Sequence, residues 1–168
     1  MATEALKSTV ITNRDATPAV INDGKIEKGN MKEAFGFVTT TSGVTSGSTY
    51  RLAQVPSTAR ISEIVLDAAA MTQGAFDIGV YRNTKDGGAV VDADFFATAV
   101  DCSSAVRATD VTNESGTYTI DKQEQPLWQA VGMSADPQTT LDIVATNTNT
   151  ITAGAKLGLK VRYCDNSN

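Results

Sequence analysis

Residues 155–163 constrain the fold of this chain more than any other stretch. Ala155, Leu157, Leu159, Val161 and Tyr163 alternate with Lys156, Gly158, Lys160 and Arg162. Strict period two puts the apolar side chains on one side of a β-strand and the cations on the other. The stretch is therefore expected to have one buried and one wet face. Such a strand needs a sheet beside it and a second layer over its apolar side. It closes the sheet late in the chain, so truncation near residue 155 is expected to unfold the domain. Lys156, Lys160 and Arg162 read first as a solvated face that discourages edge pairing. The functional alternative is a surface that meets an acidic partner.

Similar but weaker signals precede it. Ala34–Thr41 is rich in β-formers. Ser42–Ser48 is a loop by composition. Thr49–Val55 alternates, with Tyr50, Leu52 and Gln54 opposite Arg51, Ala53 and Val55, and Pro56 ends it. Arg60–Asp67 carries Ile61, Ile64, Val65 and Leu66 as a buried strand. In Ala75–Arg82, Phe76, Ile78 and Val80 share one face. Asn83–Gly88 is a turn signal. Asp92 is expected to cap a short helical turn that buries Phe95 or Phe96. Glu114–Ile120 reads as a turn followed by a strand. Pro126–Gly132 reads as one or two helical turns, with proline at the start and glycine just past the end. Leu141–Thr146 reads as a strand.

Short strands separated by Gly, Asn and Asp turns, with no long helix-period segment, indicate a sandwich or a barrel. The fold class expected is all-β and antiparallel, with the body at residues 33–168. Residues 1–32 differ. Val10-Ile11 and Val20-Ile21 stand among Asn13-Arg14-Asp15, Pro18 and Asn22-Asp23-Gly24, and no period holds for long. This segment reads as an extended N-terminal arm with a short strand or two. Alone it buries too little apolar surface to offset the entropy of ordering. Val10, Ile11, Val20 and Ile21 are accordingly the candidate partner contacts, on a neighbouring copy or on a larger assembly.

Charge narrows the partners. The net charge is −5 and the pI about 4.7, which disfavours nucleic acid and anionic membranes as ligands. No stretch approaches the length of an apolar membrane span. Met1–Lys7 shows no basic region leading into an apolar run, so no signal peptide is expected. Two cysteines, Cys102 and Cys164, make no disulfide framework; reduced thiols are the plainer reading, with a late disulfide as the alternative. Asn113-Glu114-Ser115 matches a glycosylation sequon and is read as chance.

The chemistry available to an enzyme is thin. The chain has no histidine, which removes the usual triads and the commonest metal ligand. The cysteines are isolated, and no phosphate-cradling glycine motif is present. Two carboxylate pairs, Asp92 with Asp94 and Asp110 with Glu114, have the residue types a glycosidase uses, but solvated loop carboxylates are the plainer reading. Asp92-x-Asp94 opens like a calcium loop, and Phe95-Phe96 breaks the pattern. Trp128 reads as a core plug beside Leu127 and Val131, with an interface anchor as the alternative. The expectation is a protein that is not an enzyme and uses no cofactor and no metal.

Several strings carry a resemblance. They are Arg60-Ile61-Ser62-Glu63-Ile64, Phe76–Tyr81, Gly87–Phe96, Glu114-Ser115-Gly116, Pro126–Ala130 and Leu157–Tyr163. Over roughly residues 50 to 163 the chain resembles the capsid decoration, or cement, proteins of tailed bacteriophages, encoded beside the major capsid protein. The resemblance implies a jelly-roll-like β-sandwich on the outside of a phage head, assembled in the host cytoplasm. It implies the major capsid protein as partner and a homo-oligomer, dimer or trimer, and it transfers no catalytic residues. A phage fibre or carbohydrate-binding β-sandwich is the rival, and exposed aromatics clustered on one sheet face would favour it.

Overall fold

In the computed structural model, which describes residues 4–165, eight strands pair as nested layers. The strands are β1 (Met31–Thr39), β2 (Thr49–Pro56), β3 (Arg60–Ala68) and β4 (Ala75–Arg82), then β5 (Val90–Asp101), β6 (Val106–Asp110), β7 (Thr140–Asn147) and β8 (Lys156–Cys164). The innermost pair is β4 with β5; around it lie β3 with β6, β2 with β7 and β1 with β8, all antiparallel. Folding that nested ribbon over itself gives two four-stranded sheets, ordered β1-β8-β3-β6 and β2-β7-β4-β5. This wrap of an eight-stranded ribbon into two sheets is a jelly-roll sandwich. Residues 1–3 of the sequence-defined arm and 166–168 of the body lie outside the described residues.

The core forms where the inner faces meet. β8 contributes Leu157, Leu159 and Val161; β4 contributes Phe76, Ile78 and Val80; β7 contributes Leu141, Ile143 and Ala145. Each set has the period-two spacing of a strand with one face on the core. β2 departs from simple alternation. A bulge between Arg51 and Ala53 brings both Leu52 and Val55 into the core, although the sequence pattern puts them on opposite faces. Gly36 of β1 allows the close approach of the two sheets at this edge. A Cβ there would lie 1.8 Å from the Leu52 carbonyl oxygen, so any side chain would force β1 and β2 apart.

Within the body, three elements differ from the sequence expectation. Residues 92–96 form no helical turn; they belong to the twelve-residue β5, and both Phe95 and Phe96 are buried. Their rings pack edge-on at 4.9 Å, with Tyr118 at 5.5 and 5.2 Å. Residues 117–120 form no strand. Tyr118 turns inward to donate a hydrogen bond to the Ile61 carbonyl at 2.8 Å, and a 3₁₀ helix follows at Ile120–Glu124. β8 is not an edge strand: it lies between β1 and β3, so its cations do not serve to block edge pairing. The helical turn near residue 127 is present as α3 (Leu127–Ala130 in chain order after the two helices described next), with Gly132 left-handed at φ 83°.

The N-terminal segment contains two short helices where the sequence suggested a strand or two. α1 spans Thr9–Asp15 and α2 spans Gly24–Glu27. Ser8 caps α1, its side chain accepting from the Ile11 amide at 3.4 Å. Asn22 ties the segment to itself, accepting from Asn13 at 2.8 Å and donating to Glu27 at 3.0 Å. Local capping supplies the hydrogen bonds that a strand would have to find in a neighbour.

Candidate interaction surfaces

Strand β1 presents one of the two most apolar exposed surfaces in the described molecule. Its odd-numbered residues point away from the core, and Met31, Phe35 and Phe37 are 56, 63 and 60% exposed. The two rings lie 6.3 Å apart. Gly158 on β8 makes room for them: a Cβ there would sit 3.2 Å from the Phe37 Cβ. Around the rings the sheet face is charged with both signs. Arg162 of β8 bridges Glu33 of β1 at 3.2 Å and Glu63 of β3 at 2.5 Å. Those two carboxylates push the guanidinium pKa up. Both bridges are exposed, so water and salt screen them and they add little to stability.

The second apolar surface is the N-terminal segment. Leu6, Val20 and Ile21 are 83, 53 and 95% exposed, and Val10 and Ile11 are half-buried. The structure therefore does not gather the four sequence-selected residues into one cluster of equal exposure. Val20 and Ile21 are exposed after α1, Ile21 almost completely, whereas Val10 and Ile11 lie within the helix. β1 gave no signal of exposure in the sequence, because Phe35 and Phe37 look like core residues until the register shows which face they take.

The carboxylate pairs hold backbone. Asp110 accepts from the Thr112 amide at 2.9 Å and its hydroxyl at 2.5 Å, while Glu114 accepts from the Thr98 amide at 2.7 Å. They pin the loop after β6 to different places. Asp92 and Asp94 share one side of β5. Partial burial and the neighbouring Asp94 carboxyl raise the Asp92 pKa, opposed by the Asp94 amide that donates to it and, less, by Lys122. Asp67 and Asp77 each accept an amide from a left-handed alanine on the next strand, Ala108 at 3.1 Å and Ala99 at 2.7 Å. These bonds hold bulged backbone that alanine rarely adopts unaided.

An open cleft of about 730 Å³ lies between the β4–β5 turn and the loop before β7, lined by Arg82, Lys85, Asp86, Val90, Met133 and Asp136 among others. Three of these charges are engaged: Arg82 bridges Asp86 at 2.8 Å, and Asp136 accepts from the Ser57 hydroxyl at 2.6 Å and the Gln138 amide at 2.8 Å. Cys102 and Cys164 are buried and do not pair with each other. Burial pushes the Cys102 thiol up to about 11, away from thiolate chemistry at neutral pH. Trp128 is half-buried and outside the main core; its neighbours Leu127 and Ala130 take the packing role instead.

No protein-family model matches the chain, and no curated protein matches it at a significant level. Among solved structures it is similar to a chain of the cyanophage Pam1 capsid asymmetric unit. The TM-score is 0.52 at 14% identity, over 96% of this chain and 99% of that one. It is also similar, at a TM-score of 0.44 and 16% identity, to a chain of the acid-stable capsid of Helicobacter pylori bacteriophage KHP30, over 82% of this chain and 89% of that one. The first likeness runs nearly end to end in both chains, and what it establishes is a shared fold.

Proposed function

We propose that this chain is a capsid decoration protein. It binds the outer surface of a phage head, contacts the major capsid protein and bridges neighbouring subunits. The observation that carries the reading is the fold shared, over almost the full length of both chains, with a component of the cyanophage Pam1 capsid. Two features of the molecule support it. The sandwich completes its own core, while Leu6, Val20 and Ile21 remain outside it on a short, self-tied segment. Such a segment can cover neighbouring subunits at little cost to the body. The net charge of −5 suits a protein that works away from the packaged genome. Repetition by symmetry multiplies a modest interface over the whole shell. In this reading the protein performs no catalysis and needs no cofactor.

Val10, Ile11, Val20 and Ile21 supply the contact with the capsid or with a neighbouring copy. The test is co-sedimentation with undecorated shells assembled from the phage's major capsid protein. Saturable binding in a fixed ratio to that protein is expected, with loss of binding when residues 2–25 are deleted. Absence of binding by the intact chain refutes the reading.

A second reading, a fibre or carbohydrate-binding module, draws on one observation: the exposed pair Phe35 and Phe37 on a single sheet face. A glycan array discriminates the two. Selective binding abolished by Phe37→Ala would favour the module.

A further inference from the structure

We infer that the open edge of β1 is an interface between two copies of this chain, paired antiparallel about Phe35. The inference does not depend on the capsid reading, since it rests on the strand itself.

The backbone shows which side of β1 is open. The Thr40 amide donates to the Ala155 carbonyl at 2.9 Å, and the Asp165 amide donates to the Asn30 carbonyl at 3.1 Å. Both are even-numbered positions of the ladder with β8. Antiparallel pairs alternate, so the even residues of β1 direct their amides and carbonyls to β8. The odd residues, 31 to 39, direct theirs to the other side. Among the described residues those groups have no backbone partner. The register with β8 runs unbroken from Met31 to Thr39, so no bulge turns the edge away. Residues 34–38 hold no proline and no charge. A long, regular edge with exposed apolar side chains is what soluble chains normally avoid, and it stays soluble when it is covered.

The occupant follows from the charge and symmetry of this face. Lys156, Lys160 and Arg162 lie among Glu33, Glu63 and Asp67, so the face is balanced in sign while the whole chain carries −5. A strongly charged partner finds no complement here, and a second copy meets no net repulsion. Pairing about Phe35 lets all nine residues of β1 pair with their copies. Phe35 meets Phe35 of the partner copy, and Phe37 lies opposite Glu33. No glutamate faces its counterpart. The four rings then form one contiguous apolar strip beside two glycines at position 158. The two β1-β8-β3-β6 sheets become one continuous sheet across a two-fold axis.

A phenylalanine side chain buries about 150 Å² or more when fully covered, but Phe35 and Phe37 are already partly covered in the single chain, and a single strand pair adds little beyond them. The contact therefore belongs to the small, reversible class, with dissociation constants on the order of micromolar. Sedimentation equilibrium of the full chain between about 1 and 200 µM is expected to show a monomer–dimer exchange in that range. Phe35→Pro deletes a ring and an amide that points to the open edge, sparing every bond to β8. Phe37→Lys keeps the strand and removes apolar area. Each is expected to weaken the dimer tenfold or more, with circular dichroism and melting unchanged.

Hydrogen exchange locates the contact: the amides of Glu33, Phe35 and Phe37 are expected to slow as the dimer forms. A chain that stays monomeric at about 200 µM overturns the inference. So does a dimer whose Glu33, Phe35 and Phe37 amides exchange as fast as in the monomer. Protection of those amides only when capsid shells or a glycan are added would assign the edge to that occupant and exclude the second copy.

Discussion

The sandwich and the N-terminal segment use the same kinds of residue in opposite ways. Valine, isoleucine and leucine in β3, β4, β7 and β8 are almost all excluded from water, whereas Leu6, Val20 and Ile21 lie in it. The difference is one of spacing. Alternation over eight or nine residues lets every second side chain reach a shared core, and each addition strengthens its neighbours. Apolar pairs such as Val20-Ile21 point to opposite sides of a regular extended chain, and burying both takes a bulged strand such as β5, where Phe95 and Phe96 both reach the core. The segment settles for local order through caps and side-chain bonds. Stability resides in the body, and the segment is left available for contact.

A core truncation gives the sharpest test of that contrast. Phe96 is fully buried against Phe95 and Tyr118. Phe96→Ala is expected to destabilise the body by about 3–5 kcal/mol, measured by denaturant unfolding. A loss below about 1 kcal/mol would mean that the aromatic trio is not part of the cooperative core.

Next in size is the clamp on the outer face of the second sheet. Arg51 donates to Asp142 at 2.7 Å and to the carbonyls of Arg82 and Gly88 at 2.8 Å each, and stacks over Tyr81 at 5.5 Å. It joins β2 to the β4–β5 turn. The Asp142 side chain is only 12% exposed, so Arg51→Ala leaves a carboxylate poorly solvated. A loss of about 2–3 kcal/mol is expected, less than for a fully buried pair because Arg51 itself is partly wet. Arg51→Met tests whether charge or packing matters: recovery of most stability would assign the effect to the aliphatic stem.

The turn cap is smaller again. Asn83 accepts from the Asp86 amide at 2.9 Å and donates to the Thr140 carbonyl at 2.9 Å. Asn83→Ala is expected to cost about 1 kcal/mol, seen as a lower midpoint with unchanged slope in urea. Asn83→Asp should retain the cap and lose the amide's bonds to the Thr139 hydroxyl and the Thr140 carbonyl, which separates the two roles.

These elements also show how much the sequence discloses. The strands with regular alternation, β4 and β8, were legible to within a residue, and so was the turn at Asn83–Gly88 that Asn83 caps. β6 was not legible. Its residues Val106–Asp110 hold one half-buried side chain, and Ala108 sits at φ 45° under the Asp67 carboxylate. A strand fixed by a side chain on another strand carries no local pattern. β5 misled for a related reason: Asp92 looks like a cap, yet long-range pairing with β4 overrides that preference. The apolar character of the arm was legible, but its helices were not, since seven residues are too few for a period. The exposure of Phe35 and Phe37 could not be read at all, because composition does not say which face of β1 meets β2.

Asp92 makes the stability of the body depend on pH. Its carboxyl is raised above the usual value mainly by partial burial, with Asp94 adding to the shift. A carboxyl raised in the folded state binds its proton more tightly there than in the unfolded chain. Its ionisation therefore opposes folding at neutral pH, and that penalty disappears as pH falls through the acid range. Asp92→Asn is expected to raise stability at pH 7 by a few tenths of a kcal/mol, because the site is largely solvated. The gain should shrink toward zero at low pH. A loss of stability at pH 7 that fades on acidification would mean that the Asp94 amide and Lys122 together outweigh burial at the site.

The smallest expected effect on stability belongs to the N-terminal segment, and there the comparison is most exposed to refutation. Val20→Ser with Ile21→Ser changes two side chains that are 53 and 95% exposed. Nothing in the core loses a neighbour, so the unfolding midpoint should stay within about 0.5 kcal/mol of the parent. If these residues are contacts, the same double variant should still lose affinity for capsid shells in co-sedimentation. A drop in stability would show that the segment packs on the body more firmly than its exposure indicates. Unchanged stability together with unchanged shell binding would remove Val20 and Ile21 from the interface and leave β1 as the surface to pursue.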